Sequence, residues 1–178
     1  MGNKVFLRRA THADKRNIFE WLAHSDLTSS MMGPPIFSDH PIPVWEEFSA
    51  DYCSHYFDGS KPRKGRCFII VADDNDVGVV CYNALKTEGI TDVDIWLRSE
   101  AYCGKGFGSD ALKILTDYLN KEFRIIKVVI SPSARNYRAI AAYRKAGFRM
   151  VPERLYHRFI KPEEMEYEDN IVLVKDYV

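Results

Sequence analysis

Cys103-Gly104-Lys105-Gly106-Phe107-Gly108 is the stretch whose reading decides the fold. It stands between a β-rich run ending near Arg98 and a helical pattern carried by Ala111, Leu112, Leu115, Tyr118 and Leu119. Glycines reach positive φ and let a ligand approach the backbone closely. The unpaired N–H groups of a helix's first turn, together with the helix dipole, attract an anion. Lys105 adds a positive charge on the rim. This combination suits a pyrophosphate, against the plainer reading of a tight turn without a ligand. A P-loop needs GxxxxGK[ST], which GKGFGSD does not supply. A dinucleotide loop needs an acidic residue about twenty positions on. Here that place holds Val128-Val129-Ile130-Ser131.

A second motif lies downstream. Ser131-Pro132-Ser133-Ala134-Arg135-Asn136-Tyr137-Arg138-Ala139-Ile140 runs on through Tyr143 to Lys145-Ala146-Gly147-Phe148. The pattern predicts a helix from about Asn136 to Ala146, with Gly147 as its C-cap. Asn136 and Tyr143 then fall on nearly the same stripe, two turns apart. Such a pair can address one extended ligand, or Tyr143 can simply fill an amphipathic core.

With both motifs in hand, the sequence resembles the GNAT superfamily of N-acetyltransferases. That family's acetyl-CoA loop, [Q/R]xxGx[G/A], is matched by Cys103 to Gly108 except at the first position, where Cys103 replaces Arg or Gln. Its following motif is matched by Asn136, Arg138-Ala139-Ile140, Tyr143 and Gly147-Phe148. The resemblance is closest to the aminoglycoside 6′-N-acetyltransferase and ribosomal-protein N-terminal acetyltransferase branches. It implies a mixed α/β (α+β) fold, with a mostly antiparallel sheet of about seven strands. The sheet splays between the fourth and fifth strands and carries helices on both faces.

The element order read from the residues agrees. Val5 to Arg9 reads as a strand, Thr11-His12-Ala13-Asp14 as a capping box, and Ile18, Trp21 and Leu22 as a helix face. Residues 25–43, rich in proline, read as a loop. Trp45, Phe48, Tyr52 and Tyr56 recur as the aromatic core stripe of a second helix. Cys67–Ala72, Val77–Leu85 and Ile90–Arg98 form a predicted antiparallel meander, and Ile125–Ile130 a buried strand. Phe148–Ile160 and Asn170–Tyr177 read as two last strands, joined by the acidic segment 163–169. No linker divides residues 1–178, so a single domain is expected.

Composition narrows the partners. Lys plus Arg and Asp plus Glu each total 25, giving a formal net charge of zero. No global field would hold the chain on nucleic acid or an anionic membrane. Cys53, Cys67, Cys81 and Cys103 form no CxxC or Cys/His spacing, so neither a disulfide framework nor a metal is expected. The N-terminus lacks a signal-peptide core, which favours a reduced, cytoplasmic setting. Monomer and homodimer both remain open.

The resemblance also implies roles. Acetyl-CoA is the expected co-substrate, held by Trp96, Leu97 and Arg98, by Cys103, Gly104, Lys105, Gly106, Phe107, Gly108 and Ser109, and by Asn136, Ala139 and Tyr143. Tyr143 would protonate the leaving thiolate, and Asn136 would contact the pantetheine arm. Transfer in this family is direct, which sets Cys103 aside as a nucleophile. In direct transfer an oxyanion needs a donor, which a backbone N–H near Leu97 could supply.

Strand alternation puts Asp92, Asp94 and Trp96 on one face, and Val93, Ile95 and Leu97 on the other. The aliphatic face should pack on helices and leave the acidic face toward a cleft. Asp94 lies ten residues before Gly104, the spacing at which the aminoglycoside branch carries an active-site Asp. It is the candidate base, against the alternative of a solvated or ion-paired residue. Glu153 and the 163–169 segment add acidity that suits a cationic small-molecule amine. His157 is a further candidate base. A ribosomal-protein N-terminus is the alternative acceptor, and a silent CoA-binding sensor the alternative of another class.

Overall fold

A computed structural model describes residues 5–31 and 41–177, the side chains of residues 30 and 31 excepted. Residues 32–40 of the predicted proline-rich loop lie outside the described residues. The flanking part holds a short helix, α2 (Thr28–Met31), that the sequence reading treated as loop. It follows α1 (Lys15–Ala23), whose Ile18, Phe19 and Ala23 are buried.

Strands β2 (Arg66–Ala72), β3 (Asn75–Tyr82) and β4 (Ile90–Leu97) form the expected antiparallel meander, and β1 (Val5–Arg9) adds to it antiparallel to β2. Helix α5 (Phe107–Phe123) then carries the chain to β5 (Lys127–Ile130), which pairs with β4 in parallel. After α6 (Tyr137–Lys145), the short β6 (Arg149–Met150) and β7 (Leu173–Asp176) complete a seven-stranded sheet in the order β1-β2-β3-β4-β5-β7-β6.

Two expectations need correction. The aromatic stripe is not one helix but two, α3 (Trp45–Asp51) and α4 (His55–Asp58). Tyr52 ends α3 in a non-helical conformation, yet its ring still stacks on Phe48, with centroids 4.7 Å apart. Periodicity recorded that shared burial without recording the break. Likewise the expected strand Phe148–Ile160 pairs only at Arg149 and Met150. Pro152 interrupts it, and Glu153–Arg158 turns as a 3-10 helix.

The sheet is packed on both faces. Phe68, Ile70, Val80, Tyr82 and Val93 meet Phe107, Ala111, Leu112, Leu115 and Leu119 of α5. On the other face Cys67, Ile69, Val79, Cys81 and Trp96 meet Ile18, Phe19, Phe48 and Phe57. Trp96 is fixed there by donating from Nε1 to the Ile18 carbonyl at 3.1 Å.

Candidate active site

The glycine loop has the backbone its sequence predicts. Gly104 and Gly106 take φ of +73° and +89°, and Gly106 caps α5 in the left-handed region. The first backbone bond into the helix is Asp110 N–H to Gly106 C=O at 3.0 Å. Among the described residues, no carbonyl accepts from the amides of 104 to 109. A Cβ built at Gly104 would meet nothing within 4 Å. Free donors, an open approach and a long helix behind them fit a pyrophosphate.

Gly104→Ala is expected to weaken acetyl-CoA binding about tenfold. The methyl would intrude on the open approach, and a left-handed non-glycine residue costs about 1–2 kcal/mol. Calorimetric titration with acetyl-CoA checks this, and an unchanged affinity would remove the loop from the binding site.

Next to the loop the sheet opens. β4 and β5 pair only at Ile90, Thr91 and Asp92, and diverge beyond. The bond from Arg98 N–H to Val77 C=O and that from Asn83 N–H to Asp92 C=O fix which residues of β4 face β3. By the alternation of an antiparallel ladder, the backbone groups of Ile95 and Leu97 face the gap instead. A cleft of about 1080 Å³ fills this gap and extends to both faces of the sheet. Its walls include Asp94 to Leu97, Cys103, Gly104, Gly106 to Ser109, Asn136, Ala139 and Tyr143. Two expected contacts are not on the wall. Arg98 turns outward, its guanidinium 3.3 Å from the Asp76 carbonyl, and Lys105 stands outside with Nζ 5.9 Å from the Tyr102 ring.

Helix α6 aims Tyr143 into the cleft. Gly147 at φ +96° closes its end, with Gly147 N–H donating to Arg144 C=O and Phe148 N–H to Tyr143 C=O, both at 3.0 Å. This is a Schellman closure, and the Phe148 ring packs near that of Tyr143 at 6.4 Å. The spacing Tyr143…Gly147-Phe148 therefore has a local cause. Burial, reinforced by Asp94 and Tyr167, pushes the Tyr143 phenol well above its ordinary range and keeps it protonated. Asn136 is the N-cap rather than a helical residue, and its Oδ1 accepts from Ala139 N–H at 3.2 Å. Cys103 lies against Arg138, which also pairs with Glu100; burial pushes the Cys103 thiol up, which suits a bystander better than a nucleophile.

Asp94 reaches the cleft from the opposite face of β4. Burial raises its pKa to about 7, the Glu166 and Asp92 carboxylates push the same way, and hydrogen bonds from Asn83 and Tyr52 pull it back. The Tyr52 phenol is itself pushed up by burial and stays a donor. Such a carboxylate can take a proton from an ammonium near neutral pH.

The acidic connection reaches the site because it is tied down. Arg135 pairs with Asp169 at 2.8 Å, Ser133 Oγ donates to Asp169 at 2.8 Å, and Asn170 Nδ2 donates to the Ser131 carbonyl at 2.9 Å. Glu166 and Tyr167 are thereby brought to the cleft wall, which Glu47, Asp51 and Tyr52 join from α3. Composition shows the acidity of 163–169, but no local pattern marks Tyr52 or Asn83. Tyr52 was absorbed into an aromatic stripe. Asn83 is visible only as a polar residue at the end of a β-rich run. Glu153 and His157 fall in the 3-10 turn and do not line the cleft. Among the described residues, no three His, Cys, Asp or Glu side chains are arranged to hold a metal ion.

Residues 4–149 match the family model described as an acetyltransferase (GNAT) domain. The chain belongs to the GNAT acetyltransferase family. Like other GNAT proteins it is an acetyl-CoA-dependent N-acetyltransferase. It is 35% identical over 155 residues to the aminoglycoside N(6′)-acetyltransferase type 1 of Klebsiella pneumoniae, covering 83% of this chain and 75% of that protein. The same values hold for the corresponding enzyme of Serratia marcescens. Among solved structures, aminoglycoside acetyltransferase AAC(6′)-Ib in complex with coenzyme A shares the fold with a TM-score of 0.70 at 20% identity, over 97% of this chain and 95% of that one. The GNAT fold extends to Vibrio cholerae spermidine N-acetyltransferase in complex with CoA and spermine, with a TM-score of 0.68 at 18% identity over 96% and 94% of the two chains. No described helix is long and apolar enough to cross a membrane.

Proposed function

We propose that this GNAT enzyme acetylates a primary amine of a small, multiply cationic acceptor of the aminoglycoside type, with Asp94 as the base and Tyr143 as the acid. The observation that carries the reading is the acid pair of the cleft, a carboxyl poised near pH 7 beside Glu166 and a buried, protonated phenol on α6. The relatives' activity on aminoglycosides supports the choice of acceptor.

Acetyl-CoA supplies the activated acyl group. Its diphosphate would rest on the amides from Gly104 to Ser109, and its arm would follow the edge of β4. The acceptor enters as an ammonium drawn by Glu47, Asp51, Asp94 and Glu166. Asp94 takes the proton and leaves a neutral amine to attack the thioester carbonyl. The Leu97 N–H, turned to the gap, donates to the developing oxyanion. Tyr143 gives its proton to the departing sulfur as the C–S bond breaks. The second proton of the attacking nitrogen returns to the Tyr143 phenolate as the adduct collapses to the amide, and Asp94 holds the first proton until product leaves.

Magnitudes favour this base. A lysine-like ammonium has a pKa near 10.4, so moving its proton to an ordinary carboxylate costs about 9 kcal/mol. Moving it to a carboxylate with a pKa of about 7 costs about 5 kcal/mol. The difference is worth roughly a thousandfold in rate.

The test is thiol release from acetyl-CoA with aminoglycosides, polyamines and peptides bearing a free N-terminus. The highest kcat/KM is expected with aminoglycosides. A peptide as the preferred acceptor, or no release with any amine, contradicts the reading.

A further inference from the structure

Asn83 follows β3 and carries a side chain that the proposed chemistry does not use. Its amide is engaged at both ends. Tyr56 Oη donates to Oδ1 at 2.7 Å, while Nδ2 donates to Asp92 Oδ2 and, at 3.0 Å, to Asp94 Oδ2. Chemistry fixes this orientation, because ionised carboxylates only accept and therefore demand the NH2 end. Tyr56 must then meet the carbonyl end and donate. Both N–H bonds are thus spent on two carboxylates of one strand face.

Holding β3 to β4 does not require this side chain. The Asn83 N–H already donates to Asp92 C=O at 3.0 Å, and its C=O accepts from Thr91 Oγ1 at 3.1 Å. We propose that Asn83 is a positioning residue that braces Asp94 against Asp92 and aims it at the acceptor amine, with Tyr56 locking the amide in register.

The groups facing Asp94 come from every packed element. Asp92 shares its strand, Tyr52 and Tyr56 come from α3 and α4, Cys81 from β3, Glu166 from the connection before β7, and Tyr143 from α6. Only Asn83 and Tyr52 among them stabilise the anion through hydrogen bonds. Removing the Asn83 donors leaves the carboxylate beside two like charges with one donor fewer, so the proton is held more tightly. The sign of the change is upward.

The experiment measures kcat/KM against pH with a cationic acceptor. In Asn83→Leu the acid limb is expected to rise by about one pH unit, so that the rate at pH 6 falls about tenfold and recovers at high pH. Tyr56→Phe, which frees the amide but keeps the ring, should move the limb the same way by less. An equal loss at every pH, with the limb unmoved in both variants, overturns the proposal as a merely structural effect.

The inference rests on Asp94 as the base, and the two can fail separately. A limb that persists in Asp94→Asn sinks that reading. A limb that vanishes in Asp94→Asn yet stays in place in Asn83→Leu and Tyr56→Phe sinks only the role of Asn83.

Discussion

Asp94→Asn is expected to lower kcat/KM for a cationic acceptor by about 10²–10⁴-fold and to abolish the acid limb near pH 7. The amide matches the carboxylate in size and keeps one acceptor oxygen toward Asn83 and Tyr52, so the loss belongs to proton transfer and charge. Two acceptors whose amines differ in basicity should show the wild-type limb at the same pH, because it lies on the enzyme. A limb that follows the acceptor instead would assign it to the substrate.

The same substitution has a consequence for stability. Between the ordinary Asp pKa of 3.8 and about 7, the unfolded chain has lost this proton while the folded chain keeps it. The folded state binds more protons there, so Asp94 contributes stability that is fully present below pH 3.8 and is lost as pH rises through 7. Asp94→Asn removes that slope. Its melting temperature relative to wild type should therefore be higher at pH 8 than at pH 4, and a constant difference would show that burial does not perturb Asp94.

Tyr143→Phe is expected to lower kcat by about 10²-fold or more while leaving the acetyl-CoA dissociation constant within a few-fold. The ring that packs near Phe148 survives, and so does the Schellman closure, which uses only backbone groups. What disappears is one phenolic proton on the cleft wall. Calorimetry for binding and stopped-flow thiol release for turnover separate the two. An unchanged kcat would take the acid role from Tyr143, and a large rise in the dissociation constant would recast it as a binding residue.

Local rules make much of this legible in the chain alone. Positive φ at Gly104 and Gly106, the helix after Gly106 and the left-handed Gly147 are backbone necessities that show directly as glycines. The alternation of Val93, Ile95 and Leu97 with Asp94 and Trp96 is equally local, and the aliphatic face packs as it predicts. One detail differs. The acidic face is not open throughout, since Trp96, although it lines the cleft beside Asp94, is buried against α1 with its Nε1 on the Ile18 carbonyl.

What stayed hidden depends on long-range contacts. Tyr52 reaches Asp94 because α3 stops one residue earlier. Glu166 comes to the wall because Arg135 and Ser133 hold Asp169, 34 and 36 positions away. Asn83 becomes informative only once β3 and β4 are in register, with Tyr82 opposite Val93. None of these pairings leaves a periodic trace in the chain.

The most direct measurement is the titration of Asp94 itself. Carbon-13 labelling of aspartate carboxyls, with Asp94→Asn to assign the resonance, reports the protonation of this one group across pH 3 to 9. The account predicts a midpoint at about 7. A midpoint near the ordinary aspartate value of about 3.9 would contradict it and leave the cleft without a base.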